Sequence, residues 1–215
     1  SKNGESAGTI GLDQRIEAIE IKLVLKGEKA PGTTDNKFMD FSGIKYRSHI
    51  AYDCWLDYVA NGQKSGTTGQ AKRMEAIQIN LVNLEATGNI EYKTYIQGKG
   101  WENEFKKNGE TSGTTGQARR IEAIQIKLTG DIENYYDVYY RVHISTYCWL
   151  GWAKNGEKSG SEGLNQRIEA IEIRLVPKGT AAPGDTSNRF MVSDGVRYRS
   201  NIQSNVWQDY VVNGE

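Results

Sequence analysis

An all-β chain with pseudo-threefold symmetry, of β-trefoil or β-prism type, is what this sequence predicts, on three observations. A nine-residue cassette recurs four times: "RIEAIEIKL" ending at Leu23, "RMEAIQINL" at Leu81, "RIEAIQIKL" at Leu128 and "RIEAIEIRL" at Leu175. A tryptophan recurs with it, at Trp55, Trp101, Trp149 and Trp207, each nine residues after a tyrosine (Tyr46, Tyr92, Tyr140 and Tyr198). Above this lies a longer period. Residues 15–63 align without a gap to residues 167–215, 152 positions on, and 29 of the 49 pairs are identical. Identity that dense marks one long repeat followed by two short ones as the higher unit. Units of about 40–50 residues cannot bury an apolar face alone and must pack on one another. In threes they suit a trefoil or a triangular prism. Four cassettes and four repeated tryptophans leave a closed ring of four repeats as the alternative.

Each element follows from its pattern. Ile121, Ile124 and Leu128 of the cassette would fit one side of a helix, but nine residues between a Gly/Thr turn and "TGD" are short for one. Read with period two, Ile124, Ile126 and Leu128 share a face opposite Gln125 and Lys127, so the cassette is a strand. The segment before each tryptophan alternates more cleanly. Ile44, Tyr46, Ser48 and Ile50 oppose Lys45, Arg47 and His49, and Val138, Tyr140, Val142 and Ile144 oppose Tyr139, Arg141 and His143. That is a half-buried strand. A short third strand carries the tryptophan and the aromatic after it, Tyr58, Phe105, Trp152 or Tyr210. Asn-Gly then turns the chain, at Asn61-Gly62, Asn108-Gly109, Asn155-Gly156 and Asn213-Gly214. "SGTTG" or a relative leads back to the cassette, at Ser65–Gly69, Ser112–Gly116, Ser159–Gly163 and, as "AGTIG", at Ala7–Gly11.

Cassette spacing of 58, 47 and 47 residues sets the boundaries: the C-terminal half of a repeat in 1–25, a long repeat in 26–81, short ones in 82–128 and 129–175, and the N-terminal half of a long one in 176–215. Both long repeats carry a matching insert, "KGEKAPGTTDNKFM" and "KGTAAPGDTSNRFM". The first residues, "SKNGESAGTIG", lack a signal peptide's regions and read as mid-repeat, the mark of a mature or excised stretch. The two half-repeats are expected either to complete one another, by ring closure or by head-to-tail addition between chains, or to be an arbitrary cut. Unpaired strand edges favour pairing with another strand.

Composition excludes several partner classes. The 27 basic residues are balanced by 27 acidic ones, with a pI near 6.7, so nucleic acid is not an expected partner. No apolar run approaches the 18 residues of a membrane span, so no membrane insertion is expected. With 24 Gly, 3 Pro and 12 Tyr, the chain suits short strands joined by tight turns.

The candidate chemistry is sparse. A tryptophan at one place in every repeat is either a shared core anchor or a flat platform for a ligand, and core packing is the simpler reading. Trp152 occurs in one repeat only and is expected to face solvent; His143 and Tyr147 lie near it in sequence, so these three lead the ligand-binding candidates, followed by Trp55, Trp101, Trp149 and Trp207. The pairs Arg15/Glu17, Arg73/Glu75, Arg120/Glu122 and Arg167/Glu169 are two residues apart, on one face of a strand. They are expected to be structural ion pairs linking neighbouring repeats. A glycosidase would need carboxylates in distinct environments, and four equivalent glutamates offer no such difference. His49 and His143 occupy matching sites without the clustered ligands of a metal centre, so neither metal nor cofactor is expected. Cys54 and Cys148 match each other in non-adjacent repeats and are expected to be free thiols. "SGTTG" lacks the lysine and the helix of a phosphate loop.

The run Tyr-x-x-His-Ile, Trp, Asn-Gly, Ser-Gly-Thr-Thr-Gly, Arg-Ile-Glu-Ala-Ile-x-Ile-x-Leu resembles the clostridial hydrophobic repeat, ChW, named for its tryptophan, and it does so over essentially the whole chain. The resemblance implies a secreted or surface-exposed protein of Gram-positive bacteria, whose repeats serve adhesion or the binding of a cell-wall, host or other extracellular polymer. Family members carry Gly just before the tryptophan, which implies close approach of a ligand or backbone there. Gly100 obeys, whereas Cys54, Cys148 and Val206 stand in its place. The first reading is therefore a non-enzymatic adhesion module for a surface glycan, polymer or extracellular protein. The competing reading is a self-assembling structural unit forming fibres or arrays. No nucleophile, base or metal constellation supports an enzyme.

Overall fold

The computed structural model describes residues 1, 3, 5–10, 16, 19–32, 38–193, 197–198, 201–202, 206–207 and 211–212. Its regular elements are strands, apart from one 3-10 turn at Asp131–Asn134. Among the described residues no helix is long and apolar enough to cross a membrane. Two short parallel strands come first, β1 (Gly8–Ile10) and β2 (Phe38–Asp40). A first complete repeat holds β3 (Gly43–Ile50), β4 (Cys54–Trp55), β5 (Val59–Ala60), β6 (Ser65–Gly66) and β7 (Met74–Val82). The second holds β8 (Asn89–Ile96), β9 (Gly100–Trp101), β10 (Lys106–Lys107), β11 (Ser112–Gly113) and β12 (Ile121–Thr129). The third holds β13 (Tyr136–Ile144), β14 (Cys148–Trp149), β15 (Ala153–Lys154), β16 (Lys158–Glu162) and β17 (Ile168–Pro177). After it come β18 (Phe190–Val192) and four two-residue strands, β19 (Arg197–Tyr198), β20 (Asn201–Ile202), β21 (Val206–Trp207) and β22 (Val211–Val212).

In each repeat the two long strands pair antiparallel along their length, β3 with β7, β8 with β12 and β13 with β17. The short tryptophan strand and its follower line the other edge of the first long strand. The free edge of each cassette strand is then taken by the Ser-Gly strand of another repeat: β7 by β11, β12 by β16, and β17 by β6. Pairing therefore passes from the first repeat to the second, to the third, and back to the first. Among the described residues the ring-of-four alternative finds no such pairing, since β19–β22 pair only with one another.

Two sequence features make the joints. The first is a bulge. Ile50 faces Met74 while His49 faces Ala76, so Glu75 is an extra residue in β7; Glu122 and Glu169 hold the same place in β12 and β17. A bulge re-aims its residue and breaks the period of two. Hence Met74, Glu75, Ala76 and Ile77 are all buried before alternation resumes. The bulge carbonyls point at the next repeat: Glu75 accepts from the Thr114 amide at 2.8 Å and Glu169 from the Thr67 amide at 2.9 Å. The second feature is the glycine of Ser-Gly. Gly66, Gly113 and Gly160 have φ between 100° and 115°, and a Cβ on any of them would overlap the carbonyl oxygen of Glu169, Glu75 or Glu122 respectively. Only glycine fits there.

The core lies where the three hairpins meet and is built from the alternating residues of the long strands. Tyr46, Tyr92 and Tyr140 are fully buried within it. A buried phenol needs partners for its hydroxyl, and these partners are again between repeats. Tyr92 Oη accepts from the Ile79 amide and Tyr140 Oη from the Ile126 amide, both at 3.1 Å. Each hydroxyl donates in turn to a carbonyl of its own turn, Gln63, Glu110 or Glu157. Desolvation raises all three phenols well above the ordinary tyrosine value.

The residue before the tryptophan is explained by its backbone angle. Gly100 has φ 81°, Cys54 63° and Cys148 61°. A Cβ on Gly100 would meet only the Tyr95 ring, at 4.0 Å. The glycine implied by the family pattern thus answers to a left-handed turn, and the expectation of a close backbone approach there is corrected.

Candidate functional site

Each repeat clamps a cation between two aromatic rings on the solvent-facing side of its first long strand. Arg47 lies 4.9 Å from the Trp55 ring and 4.6 Å from Tyr58. Lys93 lies 5.7 Å from Trp101 and 4.8 Å from Phe105. Arg141 lies 4.7 Å from Trp149 and 4.9 Å from Trp152. The alternation that buries Tyr46, Tyr92 and Tyr140 places these cations outward, and the short tryptophan strand folds back over them. A third ring stands edge-on to each repeat's tryptophan: His49 to Trp55 at 5.4 Å, Tyr95 to Trp101 at 5.7 Å and His143 to Trp149 at 5.5 Å. Trp207 lies on β21, and its side chain is outside the described residues.

Behind the histidines sit the bulge carboxylates. Glu75 accepts from Arg73 at 2.8 Å and stands 3.3 Å from His49 Nδ1; Glu169 does the same with Arg167 and His143 at the same distances. Arg120 and Glu122 form the matching pair at 2.8 Å. These ion pairs close within their own repeats, each arginine standing one residue before the strand that holds its glutamate, so the expectation that they link neighbouring repeats is corrected: the glutamate carbonyl makes the link. Arg120 does add a hydrogen bond to Asn165 Oδ1 of the third repeat, at 3.3 Å. Arg15 and Glu17 lie outside the described residues. Cys54 and Cys148 are free and exposed. Among the described residues no three His, Cys, Asp or Glu side chains come together as a metal site.

The third repeat differs from the others because the insert of residues 178–191 folds over it. β18 pairs parallel with β16, Gly160 facing Phe190. β1 and β2 repeat this register 152 positions earlier, Gly8 facing Phe38. Asp137 fixes the start of the insert. It takes hydrogen bonds from the Gly179 amide and Asn155 Nδ2 and ion pairs with Lys154 and Lys178. Burial alone would raise this carboxyl, but those donors hold it well below the usual carboxylate range. Further along, the Tyr139 hydroxyl donates to the Thr180 carbonyl and the Trp152 amide to the Asp185 carbonyl. A Cβ on Gly151 would overlap the Ser187 carbonyl oxygen. Arg174, 5.5 Å away, adds a second cation against the Trp152 ring.

Trp152 is consequently 3% exposed. The expectation that it faces solvent and leads a ligand surface is corrected: its indole anchors the insert. His143 is held against Glu169 and the Trp149 edge. Tyr147 and Trp149, in contrast, reach an open groove of about 390 Å³ between β14 and the insert, lined also by Asp185, Ser187, Asn188 and Met191. Tyr147 is exposed there. Ser187 donates to Asp185 from both its amide and its hydroxyl, which lowers the carboxyl from its ordinary value. The insert residues Asp185, Ser187 and Asn188 had no signal in the sequence beyond lying in a Pro/Gly-rich turn. The repeated insert was the feature that could have drawn attention to them.

A family model described as Clostridial hydrophobic W (ChW) matches residues 1–24, 54–83, 95–130 and 143–177, together more than half of the chain. No curated protein and no solved structure matches it.

Proposed function

Since the chain belongs to the clostridial hydrophobic W family, we propose that it is a non-enzymatic adhesion module that holds a glycan or related polymer outside the cell, on or near a Gram-positive surface. Its three repeats form a triangular β-prism in this reading, supported by the cyclic pairing of β7, β12 and β17 with β11, β16 and β6. In this reading the prism neither binds nucleic acid nor inserts into a membrane. The observation that carries the binding role is the groove between Tyr147, Trp149 and the insert. Concave sites with aromatic walls and a few placed polar groups are where small ligands bind. Screening the protein on a glycan array beside a Tyr147→Ala variant tests this. Binding that the variant loses, at an unchanged melting temperature, is expected; no bound glycan at all would remove the reading.

A second reading, head-to-tail assembly, rests on one different observation. The first cassette exposes Ile16, Ile19, Ile21, Leu23 and Leu25, with Ile21 at 84% and Leu23 fully exposed, whereas the same residues of β17 are buried under β13 and β6, Pro177 in place of Leu25 apart. The described residues of this first cassette are in no strand, and an apolar segment left out of a sheet is open to pairing with another strand. Sedimentation velocity over a concentration series should show larger species that Ile21→Lys abolishes; a single monomeric boundary for both proteins would reject assembly.

A further inference from the structure

We infer that the groove of the third repeat takes a neutral pyranose, and that it is the one such site among the three complete repeats; the inference rests on the glycan-binding reading above. The lining argues the ligand class. Tyr147, which is exposed, and the part of Trp149 left open by Arg141 and His143 supply apolar ring area against which the C–H face of a sugar packs. Asp185, Ser187 and Asn188 bring carboxylate, hydroxyl and amide groups to the opposite wall, a mixture of donors and acceptors suited to ring hydroxyls. No lining residue carries a positive charge. The guanidinium stacked on Trp149 and the one that follows Asn188 in sequence are already paired: Arg141 with Glu172 at 2.8 Å, and Arg189 with Glu157 at 3.0 Å. A sulfated, phosphorylated or uronic sugar would therefore meet Asp185 with no cation to offset it. Ser187 takes one acceptor site on each Asp185 oxygen and leaves the others for ring hydroxyls. The volume, about 390 Å³, lies near the lower end of the ~300–1,000 Å³ of small-molecule sites, which suits one or two sugar rings.

The count of sites follows from the same residues. Tyr147 is replaced by Asp53 in the first repeat and Lys99 in the second, counting back from each tryptophan. Those two are turned to other work: Asp53 binds Lys72 at 2.7 Å and Lys99 binds Gln117 at 3.0 Å. The opposite wall belongs to the insert, which folds over the third repeat through β16 and β18. A Trp-bearing edge without Tyr147 and without the insert has neither wall.

Isothermal titration with neutral tetrasaccharides (cellotetraose, maltotetraose, N-acetylated chitotetraose), acidic ones (tetragalacturonate, a heparin tetrasaccharide) and de-acetylated chitotetraose tests both parts. The expected result is binding of at least one neutral sugar at one per chain. Tyr147→Ala should weaken it at least tenfold, and Tyr52→Ala, an exposed tyrosine of the first repeat, should leave it unchanged. Melting curves of both variants exclude a folding defect. Binding confined to the acidic or the amino sugars overturns the neutral-sugar inference and leaves glycan binding standing. Two or more sites per chain, or loss on Tyr52→Ala, overturns the single site. No binding by any of the sugars, with none on the glycan array either, overturns the glycan reading itself.

Discussion

The phenol oxygen of Tyr46 accepts a hydrogen bond from the backbone amide of Ile173, 2.9 Å away and 127 residues along the chain. It joins the pairing of β6 with β17 in holding the third repeat to the first, and its two counterparts join the other pairs of repeats. Tyr46→Phe keeps the ring but orphans the buried Ile173 amide and a Gln63 carbonyl. Gln63 is exposed, so water replaces the phenol at its carbonyl, whereas an unsatisfied buried amide costs about 1–3 kcal/mol, and a loss of about 1–3 kcal/mol is expected in urea unfolding. Loss below about 0.5 kcal/mol would mean that water replaces the phenol at the amide as well.

Alkaline pH should attack the same three joints. Tyr46, Tyr92 and Tyr140 have folded-state values raised by burial above the unfolded value of about 10. The unfolded chain therefore releases protons first as pH rises. The stabilisation is complete below pH ~10 and is lost above it, as pH climbs toward the folded-state values. Three phenols give a slope of roughly 4 kcal/mol per pH unit in that window. Unfolding followed at pH 9–12 checks this, and a proton stoichiometry below about two would refute it.

One joint is imperfect. Ser65 Oγ donates to Ser48 Oγ at 2.9 Å and Ser112 Oγ to Thr94 Oγ1 at 3.1 Å, but in the third repeat Val142 stands in the matching place and the buried Ser159 hydroxyl has no protein partner. Val142→Thr should restore the bond and stabilise by about 0.5–1.5 kcal/mol. Ser159→Ala should be neutral or stabilising, while Ser65→Ala costs about 1 kcal/mol. Equal losses for the two serine variants in chemical denaturation would contradict this.

Asp137 governs the insert and not the ring. In Asp137→Asn the carboxylate that holds Lys154, Lys178 and the Gly179 amide becomes neutral. Hydrogen exchange across residues 178–190 should rise at least tenfold while β7, β12 and β17 stay protected. Acid should act in the same direction. The carboxyl's folded value is depressed, so its contribution is present above the unfolded value of about 4 and disappears as pH falls through the folded one. Exchange that rises uniformly over the whole chain would show that the insert is not a separate unit.

Cys54 and Cys148 occupy a left-handed turn that Gly100 fills without strain. Relief of a positive φ outweighs glycine's greater freedom in the unfolded chain. Cys54→Gly and Cys148→Gly should each stabilise by about 0.5–1 kcal/mol, read as raised denaturation midpoints. Destabilisation by either would place the contribution in side-chain packing instead.

The long strands were legible because alternation is a local pattern; Ile44, Tyr46, Ser48 and Ile50 are buried in turn as the sequence implies. The bulges were not, because Glu75 looks like an ordinary strand residue until Ile50 and His49 are seen to pair around it. The role of Trp152 was hidden for a different reason. Its exposure is decided by residues 184–187, more than thirty positions away, and an unpaired tryptophan reads as a surface residue until its cover is known. Tyr147 and Trp149 were named as candidates, but the wall they face is an insert whose course over β16 no periodicity announces.

Cyclic pairing also imposes an order of events on a ribosome. β6 finds its partner in β17, whose Ile171 pairs with Ser65. Roughly a hundred residues must be made between them, which takes on the order of 5–20 s at about 5–20 residues per second. For that interval the first repeat has emerged complete in sequence but open on one side, with Tyr46 lacking its amide donor. Such long-range closure slows folding and exposes strand edges to neighbouring chains. The nascent chain is thus most vulnerable to mispairing while the fourth cassette, that of β17, is still inside the exit tunnel, and a near-identical cassette from an adjacent polypeptide is the partner best shaped to take its place.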